Sequence, residues 1–394
     1  MERRALLTAG IALAAFSVHQ AARAAAGRRA LVIVNQRGAF DGIGALVPHA
    51  DPDYYALRPT IAVARPNAAG GAIDLDGFFG LHPSLAPLKS LWDAREMAVV
   101  HATGLPSADR SHFNAQALTE QGRDAGGHEG GGWAGRLLEA TGGIGVRPLR
   151  GISISTALDE VLTGSGASAA ISDSRNFTLT TRFGDPWQQA LHDLHADLGD
   201  IAAAGRGVLE IIELLRTAKP YDLPVDNGAV YDNDQLGYGL MQAAQYIKAD
   251  VGLEVFAVNV GGWDLHASQA TLYPPLLGGF ARNLAAFRQD LGARFADVTL
   301  VTMSEFGRCV AENASGGTDH GHGNAMLVMG GAVNGGRVYA RWPHLSTEHQ
   351  DAGGDLAITT DYRDVIGDIV AARFDADPAA IFPGHAYRAV GLMR

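Results

Sequence analysis

The chain holds one cysteine, Cys309, among 394 residues. No internal disulfide can form, so stability must come from a packed core and perhaps from bound metal. Charge is sparse as well: 19% of residues are charged, with 31 Lys and Arg against 42 Asp and Glu. So acidic a balance excludes the usual electrostatic footprint of a nucleic-acid binder, and no nucleic-acid partner is expected. No internal repeat divides the chain. What it does have is 47% apolar composition, enough to bury one large core or two moderate ones, which excludes a disordered protein.

The N-terminus carries its own pattern. Met1-Glu2-Arg3-Arg4 puts paired arginines before a modest apolar segment ending near His19, and the small residues Ala22 and Ala24 offer an A-x-A cleavage site. This predicts a twin-arginine signal over residues 1–24, a periplasmic or secreted protein, and the twin-arginine translocase as its partner in transit. Thr8, Gly10, Ser17 and His19 leave the segment short of the roughly 20 apolar residues a span needs, so no stable membrane span is expected after cleavage. Cleavage after Ala24 leaves 28 basic and 41 acidic residues, a net charge of −13.

Residues 25–394 read as a single α/β domain. Ala30 to Asn35 is a continuous apolar run of the kind buried on both faces of a parallel sheet. Met97 to Thr103, Gly151 to Thr156, Glu254 to Val260, the run from Val298 to Ser304, and Ala325 to Met329 read as further strands. Leu85, Leu88, Leu91 and Trp92 share one helical face, and Asn114 to Glu120 is helical. A helical insertion is expected around 185–250, starting at Asp185-Pro186, continuing through Leu209, Ile212 and Leu215, and ending with Asp232 to Lys248. Phe280, Leu284, Phe287 and Leu291 keep helical spacing and supply the crossover to the strand at Val298. Asp51 to Pro66 reads as loop, and Thr163 to Ser174 as a small-residue linker or hairpin. Gly126 to Gly135 reads as a Gly-rich loop in which His128 and Glu129 are ligands or simply loop. The expected architecture is a mostly parallel central sheet with helices on both faces.

Polar groups gather where those strands end. Asp41 follows the first strand. Ser111 follows the second, at the N-cap of a helix whose amides favour an anion. Asp264 and His266 stand behind two glycines after the strand ending at Val260, and Glu305 follows the strand from Val298. Asp319, His320 and His322 come just before Ala325 to Met329; if that strand and the one from Val298 are parallel neighbours, all these groups lie beyond one sheet edge. Each has a plain alternative: a surface turn for Asp41, capping alone for Ser111. Their coincidence points to one shared site. Carboxylates and imidazoles in this number repel or strand one another without a cation. The expected metal ligands are therefore Asp41, Asp264, His266, Glu305, Asp319 and His320, around one or two divalent ions. The mixed oxygen and nitrogen set leaves zinc, manganese, iron, calcium and magnesium open.

Six blocks then occur in order: Gln36-Arg37-Gly38-Ala39-Phe40-Asp41-Gly42, Arg110-Ser111-His112-Phe113, Gly262-Trp263-Asp264-Leu265-His266, Ser304-Glu305-Phe306-Gly307-Arg308, Gly317-Thr318-Asp319-His320-Gly321 and Thr360-Asp361-Tyr362-Arg363. In this the chain resembles a large bacterial family of twin-arginine-exported proteins of unknown function, assigned to the alkaline phosphatase and sulfatase-like superfamily. The resemblance covers nearly all of the mature chain. It implies an alkaline phosphatase-like three-layer sandwich in which Asp41 corresponds to the first metal-binding aspartate and Ser111 to the nucleophile. Asp264 and His266 correspond to the Asp and His pair that binds one metal. The superfamily's later Asp-His-Gly element matches either Ser304-Glu305-Phe306-Gly307 or Asp319-His320-Gly321; in the first case Phe306 replaces a histidine ligand and one metal site is weakened. The sulfatase signature C-x-P-x-R is absent, which disfavours a formylglycine-dependent sulfatase.

These readings lead to a metal-dependent hydrolase acting on a small anionic ester, phosphate first and sulfate second. The nucleophile is Ser111 or a water activated by the cation, a second metal or Arg110 and Arg308 neutralise the nonbridging oxygens, and His322 or His320 protonates the leaving group. A reading from another class is a non-catalytic periplasmic binding or assembly factor for an unknown exported ligand. Phe306 and the short gap between Asp264 and His266 favour it.

Overall fold

Seven consecutive buried residues, Ala30–Gln36, form strand β1 at the centre of a nine-stranded sheet. The computed structural model describes residues 29–125, 130–142, 149–177, 199–351 and 353–394. The expected signal segment, the helix start at Asp185-Pro186, and His128 and Glu129 lie outside the described residues. The remaining strands are β2 (Met97–Gly104), β3 (Gly151–Ser153), β4 (Ser168–Ala170), β5 (Val255–Val260), β6 (Val298–Met303), β7 (Asn324–Gly330), β8 (Val338–Tyr339) and β9 (Thr360–Asp361). Their order is β8-β2-β7-β6-β1-β5-β3-β4, with β9 also paired to β2. Strand β1 lies between β5 and β6, with Ile33 opposite both Ala257 and Val301.

Every pairing in this sheet is parallel except those of β7, which runs antiparallel to β6 and to β2. Strands β6 and β7 are therefore not the parallel neighbours considered from the sequence. Residues 304–323 between them contain no helix to serve as a crossover, so the chain re-enters the sheet from the edge at which it left. The consequence for the site is small. The loop carrying Asp319 to His322 stays at the carboxyl edge of the parallel strands because β7 begins there.

Helices cover both faces. They include α1 (His112–Gln121), α2 (Trp133–Ala140), α3 (Gly199–Ala218), α4 (Gln235–Ala249), α5 (Gln269–Leu291) and α6 (Tyr362–Phe374). Successive side chains of a strand point to opposite faces. Val32 and Val34 accordingly pack with Leu240, Phe280, Leu284 and Phe287 of α4 and α5, while Leu31 and Ile33 pack with Trp133, Leu137, Val365 and Ile369 of α2 and α6. Each such side chain contributes on the order of 1.5–3 kcal/mol when fully buried, so two apolar layers can hold the domain without a crosslink. Cys309 is a free thiol.

Local departures from the sequence reading have local causes. Leu85 to Trp92 starts as a 3₁₀ segment, Pro83–Leu88, and only then becomes α-helical at Lys89–Asp93, because Pro87 has no N–H to give. The small-residue stretch after Thr163 contributes β4, parallel to β3. Asp51 to Pro66 includes one short helix, Asp53–Leu57. No helix among the described residues is long and apolar enough to cross a membrane.

Candidate metal centre

Four segments converge beyond the carboxyl edge: the loop after β1, the loop from β5 to α5, the loop from β6 to β7, and the first turn of α1. Two glycines let them come this close. A Cβ on Gly38 (φ +113°) would lie 2.9 Å from the Asp264 nitrogen, and one on Gly317 would lie 2.3 Å from the His266 carbonyl carbon. Trp263 anchors the β5–α5 loop in the core, edge-on to Phe40 at 5.1 Å and to Phe280 at 5.5 Å, so that Asp264 emerges from a fixed point.

Three imidazoles and one carboxylate meet there. Nε2 of His320 lies 3.1 Å from Nε2 of His112 and 3.1 Å from Nε2 of His266. Asp264 closes the group, with Oδ1 2.9 Å from His266 Nε2 and 3.2 Å from His320 Nε2, and Oδ2 3.5 Å from His112 Nε2. On the far side of each ring, Nδ1 faces an acceptor. Glu305 Oε1 is 2.7 Å from His112 Nδ1, Asp319 Oδ1 is 2.9 Å from His266 Nδ1, and the Arg110 carbonyl oxygen is 3.0 Å from His320 Nδ1.

A neutral imidazole has one donor nitrogen and one acceptor nitrogen. With each Nδ1–H donating outward, all three Nε2 lone pairs point inward at one another and at an anion. Such a cluster calls for a cation. Four ligands held about 2.1 Å from a tetrahedral ion are about 3.4 Å apart, close to the separations found here. Among the described residues, His112, Asp264 and His320 have the mutual spacing of a metal-holding triad, and His266 Nε2 stands beside two of its members, Asp264 and His320.

The electrostatics agree. Burial opposes ionisation of Asp264, but the hydrogen bond and charge of Arg308 outweigh it and hold the carboxyl at about 2. Burial also opposes ionisation of Glu305, yet hydrogen bonds from Gln116, from its own amide, from His112 and from Gly38 keep its pKa below the ordinary value. Asp319 is lowered by hydrogen bonds from His266 and Asn313. His320 is lowered chiefly by burial. The carboxylates are thus charged and His320 neutral near neutral pH, the protonation states that metal ligands require. Phe306, 2% exposed, stacks on His112 at 5.0 Å and lies 5.1 Å from His320, so it forms an apolar wall fixing both rings.

Of the six expected ligands, Asp264, His266 and His320 reach the centre. Glu305 and Asp319 stand one bond behind it, as acceptors for the rings. Asp41 is elsewhere: its carboxylate takes a two-pronged ion pair from buried Arg58 at 2.6 and 3.1 Å and a 2.5 Å hydrogen bond from Gln269, which engages both of its oxygens. Ser111 is the N-cap of α1 and is exposed, but its hydroxyl makes no capping hydrogen bond. Arg110 turns its guanidinium to Asp355 and its carbonyl to His320. Both ring nitrogens of His322 are engaged away from the centre, by Asp351 at 2.8 Å and the Leu105 carbonyl at 2.9 Å, so it is not aimed at a leaving group. Arg308, 1% exposed, donates to the carbonyls of Gly38, Ala39, Trp263 and Thr318 as well as to Asp264. It ties the loops together and keeps no donor for a substrate oxygen.

His112 is the candidate ligand that the sequence reading did not single out. It lies in the quoted Arg110-Ser111-His112-Phe113 block, immediately after the residue chosen as nucleophile, and a histidine opening the helix that follows the second strand was the available signal.

Comparison with known proteins adds a partial match. Residues 233–388 match the model of a protein family of unknown function, DUF1501, a segment that contains Asp264, His266, Glu305, Asp319 and His320 but not His112. No curated protein matches. Among solved structures, Ps i-CgsB in complex with k-i-k-neocarrahexaose is similar at TM-score 0.41 and 10% identity, over 89% of this chain and 72% of that one. A protein in the alkaline phosphatase superfamily from Vibrio parahaemolyticus is similar at TM-score 0.35 and 11% identity, over 88% and 66%. The phosphonate monoester hydrolase of Agrobacterium radiobacter is similar at TM-score 0.30 and 10% identity, over 91% and 79%.

Proposed function

We propose that this chain is an exported, metal-dependent hydrolase of phosphate esters, with sulfate esters second, built on an alkaline phosphatase-like fold and holding one divalent ion with His112, Asp264, His266 and His320. The observation that carries the reading is the inward convergence of three Nε2 lone pairs and one carboxylate, each imidazole backed by its own acceptor. Three nitrogens and one oxygen suit zinc, manganese or iron better than the oxygen-seeking calcium and magnesium. When bound, the ion would supply a Lewis acid for the oxygens of the ester.

The remaining work falls to the chain. Glu305, Asp319 and the Arg110 carbonyl keep the imidazoles in the tautomer that presents Nε2, the role of acceptors behind ligand histidines. Asp264 and His266 are exposed, so the centre is open to a solute. Ser111 adjoins His112 at the start of α1, where free helix amides favour an anion, and is the candidate nucleophile. Glu305 is too deeply engaged to serve as a base, since both of its oxygens already accept hydrogen bonds.

A binding or assembly factor remains the second reading, and one observation favours it. The Ser111 hydroxyl makes no capping bond, and the guanidinium of its neighbour Arg110 is ion-paired with Asp355. Elemental analysis of the natively exported protein, with a broad phosphate- and sulfate-ester screen, tests the two together. The hydrolase reading expects one ion per chain and turnover that Ser111→Ala and His112→Ala both abolish. Metal without turnover, with Ser111→Ala still complementing a deletion strain, would select the binding factor.

A further inference from the structure

The three ligand imidazoles are backed unequally. His112 and His266 give Nδ1–H directly to carboxylates, Glu305 and Asp319, but His320 gives its own to a peptide carbonyl, that of Arg110. A neutral carbonyl is the weaker acceptor, and a carbonyl in a loop holds a ring only as firmly as the loop is held. What holds this one is a carboxylate one step removed. We infer that Asp355 is the positioning residue for His320, acting through Arg110; the inference rests on the metal reading above.

The contacts converge on that aspartate from both sides of His320. The Asp355 side chain is 2% exposed and is ion-paired with the Arg110 guanidinium, whose own carbonyl receives His320 Nδ1. Gly353 (φ +96°) makes room, because a Cβ there would lie 2.4 Å from a terminal nitrogen of that guanidinium. On the other side, Cys309 Sγ lies 3.4 Å from Asp355 Oδ1 and 3.2 Å from the carbonyl oxygen of His320. Cys309 and Asp355 are also bridged through their backbones. Ring and backbone of the ligand are thus both referred to one buried carboxylate, which completes a pattern of one acid behind each imidazole, two direct and one relayed.

The test uses the full mature chain and two readouts. Zinc affinity by chelator competition is expected to weaken roughly 10- to 100-fold in Asp355→Asn, as for other partners behind a ligand histidine. Arg110→Gln should weaken it similarly, and the double variant should be no worse than either single one, because both break the same relay. Long-range proton–nitrogen NMR of the imidazoles should report a change of tautomer or ring environment at His320 alone, with His112 and His266 unmoved. Wild-type affinity together with an unmoved His320 signal in folded Asp355→Asn would overturn the inference. If wild type binds no zinc, the metal reading fails, while the His320 signal still decides what Asp355 does. Should Asp355→Asn not fold, Arg110→Gln, at the more exposed end of the pair, carries the same decision.

Discussion

Asp41 and Asp264 occupy matching positions, each on the short loop beyond the carboxyl end of one of two paired parallel strands, β1 and β5. Their surroundings differ in one respect that decides their chemistry. Asp41 is 3% exposed and is met by a permanent cation of the chain, Arg58, on both oxygens. Asp264 is exposed; Arg308, His266 and His320 meet its Oδ1, and His112 faces its Oδ2. An arginine that takes both oxygens leaves a carboxylate no open side, whereas one that takes a single oxygen leaves the other free. At Asp41 both oxygens are taken by an arginine 17 positions away in sequence; at Asp264 the arginine takes only Oδ1, and Oδ2 faces His112.

The largest effect that can break this comparison is loss of the open site. Asp264→Ala with His266→Ala should abolish metal retention and ester hydrolysis together, read by elemental analysis and the ester screen; full activity after that double change would end the hydrolase reading. Next comes Asp41→Asn, which strands the buried guanidinium of Arg58. Urea denaturation should report a loss of about 3–5 kcal/mol, the cost of breaking a buried pair, with metal stoichiometry unchanged. Smaller again are Glu305→Gln and Asp319→Asn, each expected to weaken metal binding roughly 10- to 100-fold by loosening a ligand ring.

Acid gives the most local contrast. His101 donates Nε2–H to the Leu46 carbonyl and accepts from the Ala102 amide, and burial pushes its pKa down to about 4. The unfolded chain takes up this proton below about 6.5 while the folded chain refuses it, so stability falls between pH 6.5 and 4 by up to about 1.4 kcal/mol per unit from this residue. The Asp41 carboxyl, pushed up by burial but brought below its ordinary 3.8 by Arg58, behaves oppositely. Its contribution is intact above 3.8 and is lost only as pH falls through the lower folded value. Urea midpoints at pH 7, 5.5, 4 and 3 for wild type and His101→Gln separate the two, because only the decline above pH 4 should disappear in the variant.

Much of the fold was legible in apolar pattern. The runs at Ala30, Met97, Glu254, Val298 and Ala325 mark strands that are buried along most of their length, and Phe280, Leu284, Phe287 and Leu291 mark the helix that packs on them. The direction of β7 was not legible, since a strand's own residues do not record which neighbour it pairs with. The site was legible as a place, because acids and histidines at strand ends stand out against an apolar chain. Roles were not, because they depend on partners far apart in sequence. Asp41 looks like a ligand until Arg58 is brought against it, and Arg308 looks like an anion receptor until four carbonyls take its donors. His112 was hidden by Ser111 beside it, whose capping position absorbed the reading of that turn.

The account rests on His112, and not Asp41, completing the centre. Metal content of wild type, His112→Ala and Asp41→Asn, purified in parallel and checked for folding by circular dichroism, addresses this directly. The expected result is one equivalent in wild type and in Asp41→Asn and none in His112→Ala. Retention by His112→Ala with loss from Asp41→Asn would contradict it.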